Sequence, residues 1–257
     1  MYQIDLQLPD QFRHLEFGEV SITLPIIGVK VYTNGNFYLD FGFPASITDF
    51  SRSFSVQVFP FLGFGGFYFG YLSGATSSNV PTTTCGVFNP VIEFGLGLSL
   101  GVGKTVDSGI MKAGLSLTAV GIFQGVLGFF SANTSRDTHD ETYYKITGTF
   151  GLTGHIYGEI NFAIISARLD IMAYAYITMV IESYKPIPIT FEAGVSVKLT
   201  VKINLGLFSI KVSLHFSATI SASFIIGSDT SYNAPWINCP VKGSNAIAAL
   251  DMGSRNA

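Results

Sequence analysis

Few residues in this chain have the types and spacing that a chemical reaction needs. Residues 101–105, Gly-Val-Gly-Lys-Thr, end like a phosphate-binding loop. That loop requires a glycine five positions before Gly103, where Leu98 stands, and a helix after it, where the sequence is typical of a turn. We therefore interpret the segment as a strand that ends in a turn.

The densest run of charge lies at residues 136–141, Arg-Asp-Thr-His-Asp-Glu. Carboxylates in a loop are suitable calcium ligands, but the spacing is not that of an EF-hand. The run is more typical of a solvated hairpin tip. Residues 133–135, Asn-Thr-Ser, fit a glycosylation acceptor. The sequence predicts no metal ion and no cofactor.

The histidines and lysines of the strand-like segments lie at polar positions of the alternating pattern. His155 and His215 have glycine, serine or lysine around them, and no nucleophile, base and orienting acid can be assembled, so we expect no enzyme activity. Lys198, Lys202 and Lys211 share the polar face with His215. These four side chains are candidates for binding an anionic lipid or glycan; the alternative is that the lysines keep sheet edges from pairing.

The composition limits the class of protein. Of 257 residues, 48% are hydrophobic, 14% aromatic and 12% charged, whereas ordinary soluble domains carry roughly 25% charge. Intrinsic disorder is thereby excluded for the body of the chain. Apolar runs are too short for transmembrane helices, and a net charge of −3 argues against nucleic acid as a partner.

The first residues lack the basic start and apolar stretch of a secretion signal. Export to the surface by another route, a place in a longer chain and a location inside the cell all stay open. The two cysteines, Cys85 and Cys239, lie in loop-like segments and either form a disulfide or stay free thiols.

Strict alternation of apolar and polar residues dominates the second half of the chain. Between 191 and 207 every odd-numbered position is apolar, and between 208 and 226 the even-numbered positions are apolar instead. Such a shift indicates a turn or a bulge, because side chains of a strand point alternately to its two faces. We predict a hairpin with its turn at Leu205–Phe208, where Gly206 can adopt a positive φ; a bulge in one very long strand is the alternative.

The same shift of pattern occurs 43 residues earlier, at Ile164–Ile165, and a fainter copy of its small-apolar-apolar-polar signature occurs at residues 121–124. Three copies predict an internal repeat. Its unit is a hairpin with arms of roughly 18 residues, about 60 Å at 3.3 Å per residue.

The N-terminal part has a different composition. Residues 29–41 predict a hairpin with a type I′ turn at Asn34-Gly35. Residues 54–72, rich in aromatic side chains and glycine, predict strands in close contact with another sheet. For the aromatic run at residues 64–71, a glycan or lipid platform is the alternative to core packing.

These patterns predict an all-β fold of long antiparallel hairpin repeats in layered sheets, sandwich-like or barrel-like. We expect one β-rich domain over 1–227, with an aromatic and glycine-rich part at 1–105 and a hairpin-repeat part at 106–227. An irregular tail, 228–257, should be ordered where Trp236 docks.

Several short segments, at 51–61, 65–70, 88–97, 182–185 and 201–208, together resemble a β-rich segment of very large bacterial proteins of unassigned function. Some of those proteins also resemble LysM-bearing surface proteins. The resemblance spans roughly residues 41 to 227 and implies a long repetitive β architecture within giant chains. It implies no catalytic residues.

The functional expectation is a noncatalytic structural or assembly module of a large or self-associating bacterial β protein. Its partners would be other copies of itself or the remainder of a larger chain. The alternative is a membrane-interacting protein, either a β-hairpin pore or a lipid groove, because hairpins with one apolar and one polar face also suit lipid.

Overall fold

The computed structural model describes residues 1–132, 141–162, 164–206 and 208–238. This part of the chain is nearly all β. The elements are β1 (Tyr2–Leu6), α1 (Asp10–Arg13), β2 (His14–Phe17), β3 (Val20–Thr23), β4 (Ile27–Val31), β5 (Phe37–Phe41), β6 (Phe54–Val58), β7 (Phe61–Leu72), β8 (Gly86–Asp107), β9 (Met111–Ala132), β10 (Glu141–Asn161), β11 (Ile165–Glu182), β12 (Ile187–Asn204) and β13 (Ser209–Ile226). A single 3₁₀ turn, Ser231–Asn233, follows β13 among the described residues.

The strands form one antiparallel sheet. Its order is β1-β4-β5-β7-β8-β9-β10-β11-β12-β13. β5 and β6 pair with different halves of the same edge of β7. β6 also pairs with β3, and β3 pairs with β2. Within the described ranges β1 and β13 do not pair with each other. The predicted all-β fold of long antiparallel hairpins is confirmed, and the sheet is not closed into a barrel.

Both predicted hairpins of the repeat are present. β12 pairs with β13 over the full 18 residues of each strand. At the turn, Gly206 has φ +84°, and the N–H of Leu205 donates to the carbonyl of Phe208 at 2.9 Å. β10 and β11 meet at Phe162 and Ile165, whose backbones exchange hydrogen bonds of 2.8 and 3.2 Å. Leu207 and Ala163, which complete the two turns in the sequence, lie outside the described residues.

Two local predictions differ from the structure. Residues 121–124 lie inside β9, which continues without a turn, so the third copy of the signature does not mark a hairpin. Residues 29–41 do form a hairpin, but of the two turn residues Gly35 alone has a positive φ. The Gly35 N–H donates to the Tyr32 carbonyl at 3.1 Å, which is a type I turn followed by a left-handed glycine. A type I′ turn would require a positive φ at Asn34 as well.

The buried core lies at one end of the sheet and is largely aromatic. Trp236, 3% exposed, docks on it from the C-terminal segment, as predicted. Its ring centroid lies 5.4 to 6.2 Å from those of Phe88, Phe130, Tyr143 and Tyr184. These contacts hold residues 229–238 against the ends of β8 to β11.

Glycines on β7 and β8 allow the chain to cross closely over the sheet. A Cβ at Gly66 would collide with the backbone of Gly42, and one at Gly97 with the ring of Pro44. The expectation that the glycines of 54–72 permit close contact is therefore met at Gly66, although the contacting element is the loop after β5.

Candidate functional site

The sheet has two chemically different faces, and the pairing register shows which side chains share each one. Side chains alternate along a strand, so the row that contains Leu100 continues through Ala119, Leu152, Ala175 and Ala193. We call this side of β8–β13 the apolar face. Even-numbered residues of β8 after the bulge, of β10 and of β13 lie on it, as do the odd-numbered residues of β9, β11 and β12.

The apolar face is open to solvent. Leu100 and Leu214 are each 64% exposed and Ile220 is 75% exposed. Six strands about 4.8 Å apart and about 60 Å long give this face an area of roughly 1,700 Å². The largest apolar patch of an ordinary monomer is about 300–600 Å². Among its described residues, Lys104 is the only charged one.

Two open grooves run along this face where small residues are flanked by larger ones. One, of about 390 Å³, lies over Ala175, Ala193 and Ala222, with Phe150 and Phe191 beside them. The other, of about 580 Å³, lies between the Phe59-Pro60 corner and the residues Leu115, Leu117, Ile156 and Ile171. Their lining is almost entirely carbon, so they suit aliphatic groups.

The polar face holds the four residues that the sequence singled out for binding. Lys198 lies opposite His215, and Lys202 lies directly opposite Lys211, on the exposed edge hairpin. The His215 Nε2 lies 3.3 Å from the Ser196 hydroxyl. The predicted position of all four on one polar face is thus observed, but the structure divides them into two pairs.

Arg168 joins the second pair, and the sequence reading did not single it out for this role. A shallow hollow of about 490 Å³ is lined by three basic residues, Arg168, Lys202 and Lys211, and by one acidic residue, Glu159. A like-charged pair in opposing positions is unfavourable by itself. The hollow therefore has the electrostatic character of an anion site.

His155 also lies on the polar face, next to a second cavity. Its Nε2 is 3.4 Å from the Asp170 carboxylate but is not aligned for a hydrogen bond. A cavity of about 400 Å³ separates this histidine and Tyr157 from Glu19 and Gln57, which belong to the N-terminal strands. Ser116 lines the same cavity and lies directly opposite His155 in the pairing of β9 with β10. The His155 Nε2 has no hydrogen-bond partner among the described residues, so it joins no hydrogen-bonded serine–histidine–aspartate set there.

Ionisable groups elsewhere on the polar face are covered by loops. Glu93 is buried and accepts a hydrogen bond from the Ser77 hydroxyl. Burial, and then the Glu93 carboxylate, raise the pKa of Tyr68 to about 12. Tyr143 donates to Glu182 at 3.0 Å, and burial together with that carboxylate raises the pKa of Tyr143 above its ordinary value. These groups support the packing of the covered end of the sheet.

β13 forms an edge of the sheet, and all of its 18 residues are exposed. Its outer backbone groups have no neighbouring strand among the described residues. A long apolar edge of this kind is a template for pairing with another strand.

The other sequence candidates do not form sites. Residues 101–105 lie within β8, which ends at Asp107 before a turn, as interpreted. Residues 133–140, with the acceptor sequence and most of the charged run, lie outside the described residues. Among the residues that the structure describes, no group of three His, Cys, Asp or Glu side chains could hold a metal ion. Cys85 is disulfide-bonded, and Cys239 lies outside the described residues.

No helix of the described part is long and apolar enough to cross a membrane. Comparison of the chain with known protein families, with curated proteins and with solved structures finds no match.

Proposed function

We propose that this chain is a noncatalytic structural module that assembles through its apolar face, with a second copy or the remainder of a larger chain as the partner. The observation that supports this proposal is the size and composition of the open face. Its area of roughly 1,700 Å² is about twice the 800 Å² that each partner contributes to a standard interface. Lys104 is the one charged residue among the described residues of the apolar face. The face therefore has the composition of a surface that is buried in permanent assemblies.

Face-to-face packing is the arrangement that this surface favours. Two sheets pack about 10 Å apart when the side chains of their inner faces interdigitate. The apolar face offers both parts of such a contact, because large residues such as Phe150 and Phe191 border the row of small residues at Ala175 and Ala193.

A charge placed on either side of β13 tests the proposal. Leu214→Lys introduces an ammonium group on the apolar face, and Ser213→Lys introduces the same group one residue away on the polar face. Both variants add the same charge to the same edge strand, so the comparison tests on which face the charge interferes with association. We expect the wild type and Ser213→Lys to self-associate in sedimentation velocity, and Leu214→Lys to associate at least tenfold more weakly. A wild type that stays monomeric, or equal behaviour of the two variants, contradicts self-assembly through this face.

Membrane interaction is the second candidate, because a face without charge also suits lipid. The strand length counts against simple spanning. The apolar positions of β11 run from Ile165 to Ile181, about 55 Å, whereas a bilayer core is about 30 Å thick. Release of a trapped dye from vesicles by the purified protein would favour this candidate, and intact vesicles would favour assembly.

A further inference from the structure

Three neighbouring hairpin turns bring exposed apolar side chains together at one end of the sheet. The β8–β9 turn carries Ile110, the β10–β11 turn carries Phe162 and Ile164, and the β12–β13 turn carries Leu205 and Phe208. Hairpin turns are usually polar, since they face water. Here Phe162 and Phe208 are 62% and 61% exposed.

The three turns are held side by side by the backbone. The Asn161 N–H donates to the Ile110 carbonyl at 2.8 Å, and the Asn204 N–H donates to the Ile164 carbonyl at 2.7 Å. Each bond joins the strand residue directly before one turn to the turn of the neighbouring hairpin. The apolar tips therefore project as one row.

Basic residues lie just behind this row. Lys202 and Lys211 are each three residues from the β12–β13 turn, about 10 Å along the strand. Arg168 lies on the adjacent hairpin and lines the same hollow. Within four residues of the three turns there are five basic residues (Lys104, Lys112, Arg168, Lys202, Lys211) and two acidic ones (Asp107, Glu159), a net charge of +3. The chain as a whole carries −3.

We propose that this end of the sheet docks onto a bilayer that carries anionic lipid headgroups. The apolar tips enter the boundary between headgroups and acyl chains, and Arg168, Lys202 and Lys211 contact the headgroups. Side chains of membrane-surface segments enter that boundary by about 5–10 Å, which matches the spacing between the tips and the lysines. This docking uses the hairpin ends, so it does not depend on the assembly proposed for the apolar face.

Flotation with vesicles tests the tips. The two vesicle types are pure phosphatidylcholine and phosphatidylcholine with phosphatidylserine added in a minor proportion. We expect binding to the second type, weakened by high salt, and little binding to the first. Phe208→Ser should reduce binding at least tenfold. Phe224→Ser is the matched control, because Phe224 is 59% exposed at the opposite end of β13, and it should bind like the wild type.

A second pair of variants tests the charges. Each basic residue near an anionic surface contributes about fivefold in affinity, so Lys202→Ser with Lys211→Ser should reduce binding about 25-fold. Lys185→Ser, in the β11–β12 turn at the opposite end, is the control and should bind like the wild type.

Equal binding to both vesicle types overturns the proposal. Equal losses for Phe208→Ser and Phe224→Ser also overturn it, because the bilayer would then contact the whole apolar face. A wild type that self-associates but ignores both vesicles refutes docking and leaves assembly standing.

Discussion

Removal of the Trp236 side chain is the sharpest test of how the covered end of the sheet is stabilised. Trp236 contacts four aromatic rings and is almost fully buried. A tryptophan buries roughly 200 Å² of surface, which corresponds to about 5 kcal/mol at 25 cal/mol per Å². This value is an upper bound, since the unfolded chain already buries part of that surface. Trp236→Ala should therefore lower the free energy of unfolding by about 3–5 kcal/mol, the usual range for buried aromatic truncations.

Urea unfolding followed by far-ultraviolet circular dichroism measures this difference. Ile237→Ala is the control, because Ile237 is the next residue in the chain and is mostly exposed. We expect the control to change the free energy of unfolding by about 0.5 kcal/mol or less. Equal effects of the two variants would refute the conclusion that the aromatic cluster anchors the C-terminal segment, and so would a loss below about 1 kcal/mol for Trp236→Ala.

Three further predictions concern packing, titration and the disulfide. Gly66→Ala should lower the unfolding free energy by about 1–3 kcal/mol, because its Cβ meets backbone; Gly63→Ala, on the same strand with no neighbour closer than 3.6 Å, should be nearly neutral. The raised pKa of Tyr143 means that its contribution is complete below about pH 10 and is lost as the pH rises through the folded-state pKa. Replacing Tyr143 by Phe should remove part of that alkaline loss of stability in unfolding curves, and an unchanged curve would contradict the assignment. Titration of the unreduced, denatured chain should detect no thiol at Cys85; a reactive thiol there would show that the disulfide is absent.

The long strands were predictable because alternation is a direct consequence of strand geometry. Apolar residues change from odd-numbered to even-numbered positions at Leu207–Phe208, and this change located the turn between β12 and β13. A shift of one residue moves side chains to the opposite face of a strand. The same rule predicts that Lys198, Lys202, Lys211 and His215 share one face, which agrees with the pairing of β12 with β13. The prediction of a third repeat at residues 121–124 was wrong because those residues match the signature by type alone. The strand β9 continues through them without a turn.

The covering of each face was not predictable from the same pattern. The alternation of apolar and polar residues shows that a strand has an apolar side, but it does not show which part of the protein covers that side. The segment Phe54–Leu72 suggested contact with a second sheet, whereas the loop after β5 fills the space at Gly66 through the backbone of Gly42. The hollow that Arg168 shares with Lys202 depends on the pairing of β11 with β12, which brings together residues more than thirty positions apart.

Assembly through the apolar face and docking through the hairpin tips restrict each other geometrically. A face-to-face pair has a twofold axis between its sheets, and that axis can lie along the strands or across them. With the axis along the strands, both sets of tips, marked by Phe162 and Phe208, point the same way and one bilayer receives the pair. With the axis across the strands, the tips lie at opposite ends and the pair bridges two bilayers. Clustering of vesicles therefore belongs to the second arrangement alone, since only there do the basic residues behind the tips face two surfaces.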